Sequence, residues 1–381
     1  MGPAKKMPDF ITLFNSSSVR KMVATAILST FSIVSVFSSH ANDAGAETHV
    51  NPEAGHSAVH DDHAKPEKYD PGKMIIDHIA DAHDWHLWGE GHDAVSISLP
   101  VIIYTKSQGL VNFSSARFEH GQAAYEGFEL NDKGVIVWED KANTEVIYDI
   151  SITKNVLAMM LAVITLMLIV IGMANTYAKR AGKAPKGIHN LIEPLILFIR
   201  DDVAKASIGH KADKYLPLLL SVFFFIFVNN IFGLIPIFPG GANVTGNIAV
   251  TMVLALVIFL TVNLNGNKYY WKHIFLPDVP VWMYVIIIPI EVLGVVLKPF
   301  VLMLRLFANI TAGHIIILGF FSLIFIFGSM SQVLGYAVSP LSVAFTVFMG
   351  LLELLVAFLQ AFVFTLLSAI YIGMAVEEHP H

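Results

Sequence analysis

Five stretches in the C-terminal two-thirds of this 381-residue chain are long and apolar enough to cross a lipid bilayer, and they decide most of what it can fold into. Crossing the hydrocarbon layer takes roughly 20 mostly apolar residues. A backbone in lipid must satisfy its own hydrogen bonds, so single spans of this kind are helices. The runs are 156–174, 215–238, 247–264, 281–327 and 341–374. The last two are longer than one perpendicular crossing needs and carry polar groups inside, with Pro289 and Pro299 as expected kinks. Tilt and packing against protein accommodate such length. Composition points the same way: 55 % of residues are hydrophobic and 14 % charged, well to the apolar side of a soluble domain. The expected fold is an all-α polytopic membrane protein with about five crossing helices, the last two long and tilted.

Three further regions are read ahead of or between the spans. Arg20 and Lys21 precede an apolar run over 22–37, followed by small residues at Ser39, Ala41 and Ala44 to Ala46. This is the pattern of a secretory signal peptide, placed at 1–45 and expected to be cleaved. Residues 46–93 are polar and rich in His, Asp and Glu, a composition expected to be partly disordered. Residues 94–152 read as a small β-rich extracytoplasmic domain. Ser96 to Leu99 alternates, 101–104 is a β-branched and aromatic run, and Phe128-Glu-Leu130 and Val135-Ile-Val-Trp138 flank the turn residues Asn131-Asp-Lys-Gly134. The membrane body is then 153–381. Within it, 187–208 carries Ile188, Leu191, Ile192, Leu195, Ile196 and Ile199 at helical spacing, as an amphipathic helix on the cytoplasmic membrane surface would.

Orientation follows from lysine and arginine. The connection after the first span holds Lys179, Arg180, Lys183, Lys186, Arg200, Lys205, Lys211 and Lys214 and is expected on the cytoplasmic side. The next basic connection, with Lys268 and Lys272, falls two crossings later and agrees. The segment 329–340 has neither residue and is expected as an outside loop. The N-terminal domain is thus expected in the periplasm of a bacterial inner membrane and the C-terminus in the cytoplasm.

The ionisable residues inside the last two spans carry the chemistry. A charge at bilayer depth costs at least ~2.5 kcal/mol on insertion scales, so such groups face a partner or water. Glu291, Lys298 and Arg305 are spaced by seven, and Asn309 follows Arg305 by four, so the four share one helical stripe if the kinks are mild. His314 lies nine residues past Arg305, on roughly the opposite side. Glu353 and Gln360 are again seven apart. Glu291 and Lys298 also fit an interfacial pair reaching water. Arg305 sits in an apolar run with no acid near it in sequence, and an arginine stays charged. It therefore implies a carboxylate elsewhere, on this chain or another. His314 and Glu353 both exchange protons, and two such groups on adjacent antiparallel helices fit either a relay or a hydrogen-bonded pair that holds the hairpin.

At these residues the chain resembles subunit a of the F-type ATP synthases. Arg305-Leu-Phe-Ala-Asn309-Ile-Thr-Ala-Gly-His314 is similar to that family's arginine motif. Glu353-Leu-Leu-Val-Ala-Phe-Leu-Gln360 is similar to its last helix, and Asn229-Asn-Ile-Phe-Gly233-Leu-Ile-Pro236 to its second span. The likeness runs from about Val156 to the C-terminus. It implies a non-catalytic, proton-conducting stator subunit beside a rotating c ring, with a b-subunit peripheral stalk and the rest of the synthase as partners. It also implies two aqueous half-channels that meet at the ring carboxylate. Arg305 would match the essential arginine, Asn309, His314, Glu353 and Gln360 the positions that line the channel or support the arginine, and Glu291 the acid of the cytoplasmic half-channel. Many bacterial relatives carry an acid where His314 stands and a histidine where Glu353 stands; the exchange keeps the pair. No cofactor, metal or nucleic acid is implied. The chain has no cysteine and no phosphate-binding loop motif, so thiol chemistry and nucleotide binding through such a loop are excluded. An independent proton-coupled secondary transporter is the alternative; no internal repeat of the kind common in that class is visible.

The histidines of the outer region, His49, His56, His60, His63, His78, His83, His86 and His92, belong to none of these motifs. They read as a solvated, pH-sensitive acidic segment, as a weak transition-metal site, or as proton buffers near a channel mouth.

Overall fold

The computed structural model describes residues 71–88, 95–121, 123–131, 134–179, 187, 189–235, 238, 240–277 and 279–377. The expected signal peptide, His49, His56, His60, His63, His92 and the tail beyond Glu377 lie outside them.

The chain enters at helix α1 (Pro71–Ile79). Strand β1 (Asp84–Trp88) pairs antiparallel with β2 (Val95–Ser98), Asp84 opposite Ser98. The strands therefore begin ahead of residue 94, where the sequence pattern starts. The reason is β1 itself: Trp85 and Leu87 alternate with polar neighbours, and Trp85 is sunk to 3 % exposure. Strand β3 (Pro100–Thr105) lies between β4 (Gly109–Ser114) and β7 (Tyr148–Asp149). The β3–β4 turn closes on Gly109 at φ +74°, a backbone conformation that glycine adopts without strain. The hairpin of β5 (Phe128–Leu130) and β6 (Ile136–Trp138) forms where Asn131 to Gly134 predicts it, with Phe128 stacked on Trp138 at 4.6 Å. Alternation along β3 buries Val101 and Ile103 with Phe118, Phe128 and Ile136 in a small separate core. At its edge His83 Nε2 meets Asp149 Oδ2 at 2.9 Å. Burial opposes the charge on both groups. For His83 the hydrogen bond to Asp149 and its charge outweigh burial and raise the pKa. For Asp149 the bond and charge of His83, with Ser151, outweigh it in the other direction and lower the pKa.

Five helices among the described residues are long and apolar enough to cross a membrane, as the hydropathy pattern predicts. Helix α2 (Lys154–Lys179) leads in. Helix α3 (His189–Phe198) continues through a π-helical stretch, Ile199–Lys205, and a turn, Ala206–Ile208, into α4 (Ala212–Leu234). Its apolar stripe, including Ile196, Ile199, Val203 and Ile208, is covered by α4 and the last helix rather than by lipid alone. Leu191 stays exposed on the other side. Helix α5 (Ile248–Asn265) is capped by the Asn247 side chain, which accepts from the Ala249 amide at 2.9 Å, and α6 (Lys268–Phe275) by Asn267 in the same way.

Helices α7 (Tyr284–Met330) and α8 (Gln332–Val376) form one long hairpin. Here the expectation of an outside loop over 329–340 is corrected: only Ser331 leaves the helical conformation. Two glycines permit so abrupt a reversal. A methyl on Gly335 would meet the Gly328 Cα at 2.8 Å, so the helices pack backbone to backbone from their first turns. Pro289, Pro299 and Pro340 are all carried inside these helices.

Contacts at the two ends fix which parts lie together. Trp85 packs edge-on against Phe238, in the α4–α5 connection, at 5.1 Å between ring centres. The Asn267 amide donates to the Ala375 carbonyl at 2.9 Å, and Lys211 Nζ to the Val376 carbonyl at 3.2 Å. The β-rich region and the C-terminal end of α8 therefore lie at opposite ends of the helices.

Candidate functional site

The site is built on the α7–α8 hairpin and closed from behind by α4 and α5. Gly313 precedes His314 on α7, and its missing side chain lets Glu353 of α8 approach: a methyl there would lie 2.9 Å from Glu353 Oε1 and 3.1 Å from its Cδ. Glu353 Oε1 is hydrogen-bonded to His314 Nδ1. The carboxylate is 5 % exposed, and its second oxygen, Oε2, has no protein partner. His314 Nε2, on the far side of the ring, faces Gly233 of α4, where an added methyl would sit 3.5 Å away.

Behind the pair lies a narrow polar recess with Asn229, Asn230, Asn243 and Thr245 in its wall. Thr245 Oγ1 donates to Asn230 Oδ1 at 2.5 Å, and Asn230 Nδ2 to the Ala357 carbonyl at 3.1 Å, tying α4 and the α4–α5 connection to α8. Asn243 Oδ1 accepts from the Gly246 amide at 3.0 Å. Asn243 Nδ2 and Asn229 Oδ1 are buried without a protein partner, like Glu353 Oε2. Buried polar atoms are nearly always satisfied, by protein or by ordered water. Two of these orphans, on Asn229 and Asn243, thus share the recess with the free oxygen of Glu353. Sequence reasoning quoted Asn229 and Asn230 only as part of a resemblance and did not place Asn243 or Thr245 here. An asparagine pair inside an apolar run was the available signal.

The remaining candidates lie elsewhere on the hairpin. Arg305 and Asn309 are exposed on α7, and His314 turns inward, as the nine-residue spacing predicts. Among the described residues Arg305 makes no ion pair and no hydrogen bond. Its charge acts on the Tyr371 phenol of α8, and Lys298 Nζ lies 5.5 Å from the centre of the same ring. Gln360 is buried in α8, two turns on from Glu353. Glu291 is half-buried next to the Pro289 position, near enough to Tyr270 of α6 for its charge to act there. The structure therefore brings His314 and Glu353 into contact and leaves Arg305, Asn309, Gln360 and Glu291 distributed along the hairpin. On α7 next to Arg305 the surface is apolar: Val301 and Leu304 are both exposed.

Of the outer histidines, His83 is committed to Asp149, and no group of three or more metal-ligating side chains occurs among the described residues.

An all-helical membrane body holding a buried imidazole–carboxylate pair, with an arginine on an apolar face that has no ion-pair partner among the described residues, defines a polytopic membrane protein built to keep titratable groups at bilayer depth. Sequence comparison makes the assignment specific: residues 156–373 match the ATP synthase A chain family, and the chain belongs to it. It is 46 % identical over 240 residues to ATP synthase subunit a of Chloroherpeton thalassium, covering 61 % of this chain and 69 % of the relative. To ATP synthase subunit a 2 of Chlorobaculum tepidum it is 48 % identical over 235 residues, covering 60 % and 64 %. To ATP synthase subunit a of Myxococcus xanthus it is 42 % identical over 240 residues, covering 61 % and 75 %. Residues 74–157, the β-rich region with α1, match a separate domain family of unknown function (DUF8433).

Proposed function

We propose that the chain is the proton-conducting stator subunit of an F-type ATP synthase membrane sector, with the β-rich region in the periplasm and the C-terminus in the cytoplasm. The observation that carries the reading is Arg305: a permanent cation on an apolar, exposed face of α7 with no anionic partner among the described residues. Such a charge is costly in lipid unless a partner supplies the opposite one. A ring of c subunits, each bringing a carboxylate to that face, meets the requirement.

The parts then take distinct roles. Protons reach the His314–Glu353 pair from the periplasmic side along the polar recess and pass to a ring carboxylate. The neutralised carboxylate can leave Arg305 and enter lipid as the ring turns. A carboxylate arriving from the other direction loses its proton into a cytoplasmic path that includes Glu291. Beside it Arg305 favours the ionised form and keeps the two paths from joining directly. Asn309, one turn further along α7, and Gln360 on α8 take the supporting roles. The chain carries protons and leaves nucleotide chemistry to other subunits; a peripheral stalk holds it against rotation.

The test is purification from bacterial membranes through a tag on this chain. The reading predicts that a c ring and stalk subunits co-purify and that inverted vesicles take up protons when ATP is added. Recovery of the chain alone, with transport indifferent to ATP, would replace the synthase subunit by an independent transporter.

A further inference from the structure

One short extended segment of the outer domain grips the membrane body. Asp81 Oδ1 accepts from the Asn155 amide at 3.0 Å and Asp81 Oδ2 from Thr153 Oγ1 at 2.8 Å, which ties the segment to the head of α2. His83 is bonded to Asp149, just ahead of the same helix, at 2.9 Å. Trp85 sets its ring edge-on against Phe238 at 5.1 Å. Helix α1, which leads into the segment, packs against α7. Trp85 is 3 % exposed and Phe238 is 42 % exposed. The indole is thus a fixed anchor, and the phenylalanine is the partner it restrains. Phe238 belongs to the α4–α5 connection, and that connection is stiff. The Gly241 amide donates to the Phe232 carbonyl at 3.2 Å, closing the chain back on the end of α4. Gly240 passes so near the backbone that an added methyl would meet the Ile235 carbonyl oxygen at 2.1 Å. From there Ala242, Asn243, Val244 and Thr245 run in succession along the wall of the recess that holds His314 and Glu353. The far end is fixed by the Thr245–Asn230 hydrogen bond and by Thr311 Oγ1 of α7, which donates to the Gly246 carbonyl at 3.4 Å. Trp85, Ala242 and Val244 lie in one continuous buried apolar core.

We propose that Trp85 is a positioning residue for proton conduction: by holding Phe238 it fixes the α4–α5 connection, and with it Asn243 and Thr245, against the His314–Glu353 pair. The inference rests on the proposed function above and adds to it a role for a domain of unknown function, which braces the proton-bearing site from outside. The indole carries no proton itself. It acts through a segment with no helix or strand among its described residues between α4 and α5. Such a segment depends on its end contacts to keep one geometry. Thr245 holds Asn230, and Asn230 holds the Ala357 carbonyl of α8, one turn from Glu353. Release of the Phe238 end lets Asn243 and Thr245 drift. The polar groups that face the carboxylate and the imidazole then change, and proton affinity in the recess changes with them.

The test uses the assembled complex in vesicles stripped of the catalytic head and driven by a potassium diffusion potential. Ring-dependent proton flow is followed from about pH 5.5 to 8, the range in which imidazole titrates. Trp85→Ala is expected to lower flow by roughly tenfold, within the up to about hundredfold that a misplacement of ~1 Å costs, and to move the midpoint of the pH profile. Trp85→Phe keeps a ring against Phe238 and is expected to recover most of the flow and the native midpoint. Phe238→Ala breaks the same contact from the membrane side and is expected to reproduce Trp85→Ala. In a Thr245→Val background, where the recess end of the connection is already released, Trp85→Ala is expected to add less than about twofold, the non-additivity of groups that act as one unit. Native flow and midpoint in both Trp85→Ala and Phe238→Ala would overturn the proposal. So would a lower flow with an unmoved midpoint, since loss of assembled complexes scales the profile without shifting it, or losses that multiply with that of Thr245→Val. If Trp85→Ala does not assemble, Phe238→Ala, a change at a half-exposed ring, decides. Absence of ring-dependent flow with the native chain would instead remove the stator reading on which the proposal rests.

Discussion

Gly313→Ala is the smallest change that separates His314 from Glu353 without altering either. The added methyl would stand 2.9 Å from Glu353 Oε1, 3.1 Å from Cδ and 3.3 Å from Cγ. Non-bonded heavy atoms sit best at about 3.5–4.0 Å, so the carboxyl must retreat by at least about half an ångström. It moves away from the Nδ1 it now meets, because the methyl enters from the α7 side. Hydrogen bonds to charged groups contribute about 1.5–3 kcal/mol, and at ~1.4 kcal/mol per decade this corresponds to roughly ten- to hundredfold. Passive proton conduction through assembled, head-stripped vesicles is therefore expected to fall at least about tenfold, with the c ring still co-purifying. Glu353→Asp in the same background shortens the side chain by one methylene and is expected to recover part of the loss, a coupling that a double-mutant cycle measures. Conduction within about twofold of native in Gly313→Ala would refute the claim that this pair carries protons.

Two further outcomes follow from the packing. The His83–Asp149 pair should stabilise the outer domain in a bounded pH window. The raised His83 pKa gives stability that is full below about 6.5 and lost as pH rises through the raised value, and the lowered Asp149 pKa gives stability present above about 3.9 and lost as pH falls through the lowered value. His83→Asn is expected to cost about 3 kcal/mol near pH 5.5 and less near pH 9, read by hydrogen exchange of the outer domain in the intact complex; a cost independent of pH would contradict the assignment. Gly373→Ala would place a methyl 2.1 Å from the Ser207 carbonyl oxygen and force the 206–208 turn off α8, costing at least about 1–3 kcal/mol and lowering the melting temperature of the complex. Because the clash is with backbone, Ser207→Gly is expected not to rescue it.

The membrane body was legible because its signal is one-dimensional: apolar length alone picks out the spans, and a spacing of nine separates the faces of Arg305 and His314. The β5–β6 hairpin was legible for the same kind of reason, turn residues between alternating runs. The α7–α8 reversal was not, because a helix that restarts after one extended residue looks like a loop when Gly328, Gly335 and Pro340 are read as breakers rather than as room for close packing. The recess was also hidden. Asn243 and Thr245 sit in a connection far from Glu353 in sequence, and only the folding of α4 and α5 behind the hairpin brings them there. The bonds from Thr153 and Asn155 to Asp81, and from Lys154 to the His78 carbonyl, are another long-range pairing. In sequence Lys154 reads as the charge at the head of a span, and only the structure shows it buried under α1.

Arg305 is exposed, permanently charged and without an anionic partner among the described residues. The direct measurement is ATP-driven proton uptake by inverted vesicles carrying Arg305→Ala, with ring co-purification confirming assembly. The account predicts an assembled complex in which coupled uptake is abolished. Coupled uptake near the native rate in that complex would show that the arginine is structural and that the proton path runs without it.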